Sequence, residues 1–156
     1  MKFSGNITLK AEPPEVWDLL LDARTFAECV PGIGKVNQID DRTFEGTIEM
    51  TVGPISGEFP FQAHIEESAP PRELSARVEG VDSVTKSTID GQLGLTLTPT
   101  GPGETELAYK ADVNIHGRLA IIGDMVLRAT AAVILEEFTK RVRSRLEGMA
   151  SAGQPG

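Results

Sequence analysis

Between residues 35 and 115 the sequence alternates apolar and polar residues almost without pause. Phe44, Gly46, Ile48, Met50 and Val52 share one phase, and after Gly53-Pro54 so do Phe59, Phe61, Ala63 and Ile65. The pattern resumes after Pro70-Pro71 with Leu74, Ala76 and Val78, then with Ile89, Gly91, Leu93, Leu95 and Leu97. Beyond the glycine-proline-glycine turn at 101–103 come Leu107, Tyr109, Ala111, Val113 and Ile115. A period of two predicts strands, and the turn residues between them predict antiparallel neighbours. The carboxylates of Glu45, Glu49, Glu58, Glu66 and Asp112 all fall on the other phase. Such a sheet is apolar on one face only, so another element of the chain must cover that face.

The covering element is expected at residues 118–147 as one long helix. One apolar row runs through Leu119, Ile122, Val126, Ala129 and Val133, and a second through Met125, Ala132, Leu135, Phe138, Val142 and Leu146. At a rise of 1.5 Å per residue such a helix is about 45 Å long, enough to cross the sheet. Ahead of the strand run, residues 2–10 alternate as a first strand, which Pro13-Pro14 ends. Proline is tolerated in a first helical turn, so EVWDLLLD opens a short helix, and residues 25–28 a second. The reading is an α+β helix-grip domain over residues 1–148: a curved antiparallel seven-stranded sheet around a C-terminal helix, with two short helices after strand 1. Gly46 and Gly91 are expected to mark bends or bulges. Residues 149–156, MASAGQPG, are expected to be a flexible tail or the start of a linker to a membrane-binding extension.

Several chemistries can be set aside. The net charge of −8, from 23 acidic and 15 basic residues, repels nucleic acid. A single cysteine allows no internal disulfide and fits a reducing compartment. The N-terminal residues lack the apolar stretch of a signal peptide, and no run approaches a membrane span, so the expected location is the cytoplasm. The segment CVPGIGKV fails the phosphate-loop pattern at both ends, and it lies between a helix and a strand where a dinucleotide fingerprint needs the reverse order. A nucleophilic Cys29 would need a histidine, but His64 and His116 both lie on strands. Cys29 is therefore expected to pack inward as a small hydrophobe beside a rim loop shaped by Pro31 and Gly32. No metal-ligand spacing is present. Lys140, Arg141, Arg143 and Arg145 read as cations complementing the C-terminal end of the helix, with a docking patch for an acidic partner or lipid surface as the alternative.

The inner face offers almost no titratable group besides Tyr109, which argues against catalysis. A concave apolar surface under an apolar helix suits a greasy small molecule. Patterning alone leaves a ligand pocket and a filled core equally open. The candidate lining residues are Phe26 and Val30 near the loop, Ile48, Met50, Phe59, Phe61, Leu93 and Tyr109 on the sheet, and Leu119, Ile122, Met125 and Val126 on the helix.

Three segments, in order and correctly spaced, carry a resemblance: VWDLLLDARTFAECVPG, then VGPISGEF followed by APP, then GRLAIIGDMVLRATAAVILEEF. Over residues 1–148 the chain resembles the CoxG family of carbon monoxide dehydrogenase subunits, within the START-like (SRPBCC) helix-grip superfamily. It departs from the family pattern at EGVDSVTKS, at Met125 and at Thr139. The resemblance implies an accessory protein of a molybdenum-containing CO dehydrogenase or related hydroxylase, concerned with membrane association of that enzyme. With the apolar pocket it leads to an expectation of bound isoprenoid quinone, menaquinone or ubiquinone, passed between membrane and dehydrogenase at the inner face of the cell membrane. The expected membrane contact is peripheral, through a C-terminal extension. The alternatives are a ligand-free adaptor, a polyketide-cyclase-like enzyme, or an assembly factor.

Overall fold

The turn and cap residues set the chain path from the first element onward. In the computed structural model, which describes residues 1–52, 54–82 and 86–152, strand β1 (Lys2–Leu9) gives way to helix α1 (Pro13–Leu21), with proline in its first turn. Asp22 closes α1 and caps α2 (Ala23–Cys29), accepting hydrogen bonds from the amides of Arg24 (3.1 Å) and Thr25 (3.4 Å). Such a cap satisfies donors that the first helical turn leaves free. Strands β2 (Ile33–Gln38), β3 (Thr43–Val52), β4 (Ile55–Ala69), β5 (Glu73–Asp82), β6 (Ser87–Gly101) and β7 (Glu104–His116) follow. The sheet order is β1-β7-β6-β5-β4-β3-β2, and every pair is antiparallel. This is the expected α+β helix-grip sheet. Gly53 of the expected turn, Val84 in the departing segment, and the last four residues of the expected tail lie outside the described residues.

Register shifts fall at Ile33/Val36, Ile65/Glu67 and Pro99/Gly101. Gly46 borders the first of them, pairing with Val36 on one side while keeping unbroken register with Phe61 on the other, whereas Gly91 sits in unbroken register between Val78 and Val113. A bulge adds a residue to one strand and increases the local twist, which curls a long strand around whatever lies on its concave side.

The covering helix is two helices. Arg118–Ile121 forms the short α3, and Asp124–Ala152 forms α4. Gly123, between them, has φ +97°, a conformation that side chains with a Cβ rarely adopt. Periodicity cannot register this break, because apolar spacing on either side of a single left-handed residue still resembles one helix. The restart changes which residues face the sheet. Leu127, Val142 and Leu146 are buried, while Val126, Ala129 and Val133 of the expected inner row are exposed. α4 also runs four residues past the expected boundary at 148, so the basic cluster at 140–145 is not in its last turn.

Two apolar clusters close the ends of the space between sheet and helix. Leu9, Val16, Leu19, Cys29, Leu97, Leu107, Val142 and Leu146 form one, with Trp17, Tyr109 and Phe138 against it. Phe59, Leu119 and Leu127 form the other, with Met1, Ile48, Ile89, Ile115 and Ile122 packed around them. The backbone of α4 lies beside those of α2, β3 and β1. The ring of Phe138 meets Phe26 edge-on at 5.7 Å, Arg145 pairs with Glu28, and Arg141 donates to the Glu28 carbonyl at 3.4 Å. On the other flank Arg143 donates to the Thr8 carbonyl (3.2 Å), and Arg128 to the Lys2 carbonyl (3.2 Å) while lying over the Phe3 ring.

Given this phase, Leu146→Ala should lower the free energy of unfolding by about 2–5 kcal/mol in urea denaturation. Val133→Ala, in the row expected to be internal, should change it by no more than about 0.5 kcal/mol.

Candidate functional site

Small residues occupy the centre of the concave face. One inner row crosses the sheet through Ala63, Val78, Gly91 and Val113, and neighbouring rows add Gly80, Ala76 and Ala111. Ala63, Val78, Val113 and Ala111 are only half-buried, as are Phe61 and Leu93. Larger side chains cluster toward the two ends, where the packed cores lie. The combination leaves apolar surface beneath α4 that protein atoms do not fully cover, and such surface favours an apolar occupant over water.

The expected lining residues divide into four groups. Ile48, Phe61, Leu93, Tyr109 and Ile122 are half-buried on the inner side, with Tyr109 against the first core cluster and Ile48 and Ile122 against the second. Phe26 and Val30 are half-buried at the end of α2, where Phe26 is engaged by Phe138. Phe59 and Leu119 are buried in the second cluster, 4% and 1% exposed, and serve as its packing. Met125 and Val126 were expected to face inward, but they are 85% and 37% exposed, because α4 restarts after Gly123 with a different phase. The side chain of Met50 lies outside the described ones.

Two hollows escaped the sequence reading. A groove of about 710 Å³ runs along one flank of α4 beside β1, lined by Ile7, Ala132, Leu135, Thr139, Lys140 and Arg143 among others. Its helical residues recur at three- and four-residue spacings, a stripe of which the apolar rows caught Ala132 and Leu135 but not the polar and charged members. On the convex face a hollow of about 210 Å³ is lined by Thr43, Gln62, His64, Arg77 and Glu79. There Thr43 Oγ1 lies 3.0 Å from His64 Nδ1, and Arg77 pairs with Glu79 at 3.3 Å. These are cross-strand neighbours on the solvated face, away from the space under α4.

The CVPGIGKV segment is a structural clasp. Cys29 is fully buried in the first core cluster. Burial pushes its thiol pKa up, with the Arg141 charge acting weakly the other way. Gly32 has φ +88°, and a Cβ there would collide with the Glu49 carbonyl. Its own carbonyl accepts from the Glu49 amide at 2.8 Å, which ties the loop to β3. Both histidines are exposed, and no group of three potential metal-ligating side chains occurs among the described residues. No helix among those residues is long and apolar enough to cross a membrane.

Residues 5–147 match the family of the carbon monoxide dehydrogenase subunit CoxG. No curated protein matches the chain. Among solved structures, a conserved protein from Geobacillus kaustophilus superposes with TM-score 0.88 at 21% identity, covering 95% of this chain and 96% of its own. A START superfamily protein from Mycobacterium smegmatis gives TM-score 0.72 at 15% identity, with 95% and 98% covered. The Zhui aromatase/cyclase from Streptomyces sp. R1128 gives TM-score 0.72 at 14% identity, with 99% of each chain covered. At these identities the likeness is one of fold, and it agrees with the START-like architecture expected from the sequence.

The buried thiol yields a measurable prediction. A pKa raised on folding means that the unfolded chain ionises first, so this contribution to stability is intact below the ordinary thiol range and is lost as pH rises through it. Native Cys29 should react with a thiol reagent far more slowly than the denatured chain. Cys29→Ala should flatten the alkaline loss of stability in denaturation curves recorded across that range. Cys29→Ser should leave function largely intact, and complete loss with folding preserved would revive a thiol mechanism.

Proposed function

This chain belongs to the CoxG family of carbon monoxide dehydrogenase subunits, and on that premise we propose that it is an apolar-ligand carrier serving a molybdenum-containing CO dehydrogenase or a related hydroxylase. In this reading it holds an isoprenoid quinone beneath α4 and moves it between the inner face of the cell membrane and the enzyme. The observation that carries the reading is the half-buried belt of small apolar residues, Ala63, Val78, Ala111 and Val113, under a helix anchored along its flanks.

The physical chemistry supports a carrier. Burying a methylene away from water gains about 0.8 kcal/mol, so a prenyl chain seeks either lipid or an apolar cavity. Lipid tails are as apolar as the cavity wall, so exchange between the two is close to balanced, and a carrier must release as well as bind. Tyr109 offers a hydroxyl on the inner phase that can meet a quinone carbonyl. The inner face has no converging acid and base among its described residues, which favours carriage over a cyclase reaction. The quinone's role follows from the family's enzyme: electrons taken from its substrate need an acceptor that dissolves in the membrane.

The test is to purify the chain from a quinone-containing host, extract it with organic solvent and identify bound lipid by mass spectrometry. Quinone at about one per chain is expected, together with quenching of Trp17 fluorescence by a soluble quinone analogue. Ala63→Leu, which adds bulk to the central belt, should weaken that quenching titration at least about tenfold while shifting Tm by only a few degrees. An extract free of quinone, with Trp17 unquenched, would sink the carrier reading in favour of a ligand-free adaptor.

A further inference from the structure

The elbow between α3 and α4 turns large apolar side chains away from the core. Leu119, Ile122 and Leu127 point inward into the second cluster, while Ile121 and Met125, on either side of Gly123, are 83% and 85% exposed, and Val126 is partly exposed beside them. Monomeric proteins seldom present neighbouring large apolar side chains so openly without a partner.

Charge identifies the partner. Arg118 stands three residues before Ile121, and Arg128 three residues after Met125, both exposed. Lys86, also exposed, has its carbonyl against Gly117, immediately before Arg118. Asp124 is the single carboxylate of segment 117–128, so with Lys86 the elbow carries three cations against one anion, in a chain of net charge −8. Protruding apolar residues ringed by arginine and lysine fit the interface of an anionic bilayer, where the hydrocarbon boundary takes the first and the headgroups the second.

We propose that the elbow is a bilayer-docking surface, with Ile121 and Met125 inserting among acyl chains and Arg118 and Lys86 resting on anionic headgroups. This extends the carrier reading and shares its premise that the protein meets a membrane, but it assigns the contact to the folded domain and not to a C-terminal extension. Because Ile122 and Leu119 pack into the cluster that closes one end of the space under α4, docking sets that end against the lipid. Were that cluster to part while docked, a prenyl chain would leave into lipid and not into water.

The test is co-sedimentation with phosphatidylcholine vesicles, with and without phosphatidylglycerol. Wild type should bind the anionic vesicles and only weakly the neutral ones. The double variant Ile121→Asp, Met125→Asp alters exposed positions and should keep its circular dichroism and Tm while losing at least about tenfold in vesicle affinity. Arg118→Glu should weaken binding to anionic vesicles about fivefold or more and leave the neutral ones unchanged. Wild type that ignores both vesicles, or variants that bind like wild type, would overturn the proposal. So would a wild-type dimer that the double variant dissociates in light scattering, because a second copy would then cover the elbow. Trp17 quenching on the same proteins separates the two readings. Lost vesicle binding with unchanged quenching supports elbow docking. Vesicle binding by a wild type that no quinone quenches supports docking too, and removes the carrier function.

Discussion

Everything in this molecule depends on how α4 is held against a sheet that is apolar on one face. The helix is gripped along its flanks and not across the middle. Phe138 against Phe26 and two arginines at Glu28 hold one flank, and Arg143 and Arg128 at carbonyls of β1 hold the other. Individually these half-exposed polar contacts are worth little, on the order of 1 kcal/mol or less. Together with the buried Val142 and Leu146 they fix the height of the helix above the sheet. Small side chains beneath it then leave space where large ones would have filled it, so the property that suggests a ligand follows from the attachment.

The sheet was legible because period-two patterning is local and repeated many times; each strand was visible from its own residues, and the turn chemistry separated them. The helix was legible as an element and, through Leu135, Phe138, Val142 and Leu146 of the second apolar row, in the facing of its C-terminal half; its start was not, since Gly123 resets the phase and the misplacement of Met125 and Val126 follows directly. Of the two glycines expected to mark bends, Gly46 borders the register shift at Ile33/Val36 and Gly91 borders none; at Ile65/Glu67 and Pro99/Gly101 pairing across two strands decides, and neither strand's sequence reveals it. The basic cluster was read through the helix dipole because, apart from Glu137 four residues before Arg141, its partners are the Glu28 side chain and carbonyl and the Thr8 carbonyl, more than a hundred residues away in sequence.

The same separation governs what the fold can say about activity. The superposed structures include a protein named as an aromatase/cyclase, so the architecture itself does not decide the activity. In this chain the strand carboxylates Glu45, Glu49, Glu58, Glu66 and Asp112 are exposed on the solvated side, and the inner phase carries aliphatic and aromatic groups. A surface of that kind recognises shape and apolarity and not charge.

The arginines on β1 have a second consequence. β1 is an edge strand: Met1 exchanges hydrogen bonds with Val113 of β7, so the alternate carbonyls, including those of Lys2 and Thr8, point away from the sheet. Carbonyls of that kind invite pairing with a strand from another chain, the first step of uncontrolled self-association. Arg128 and Arg143 occupy two of them. The guanidinium groups that suspend the helix also blunt the edge, so a chain whose helix swung away to admit a ligand would, for as long as it stayed open, expose a template for aggregation.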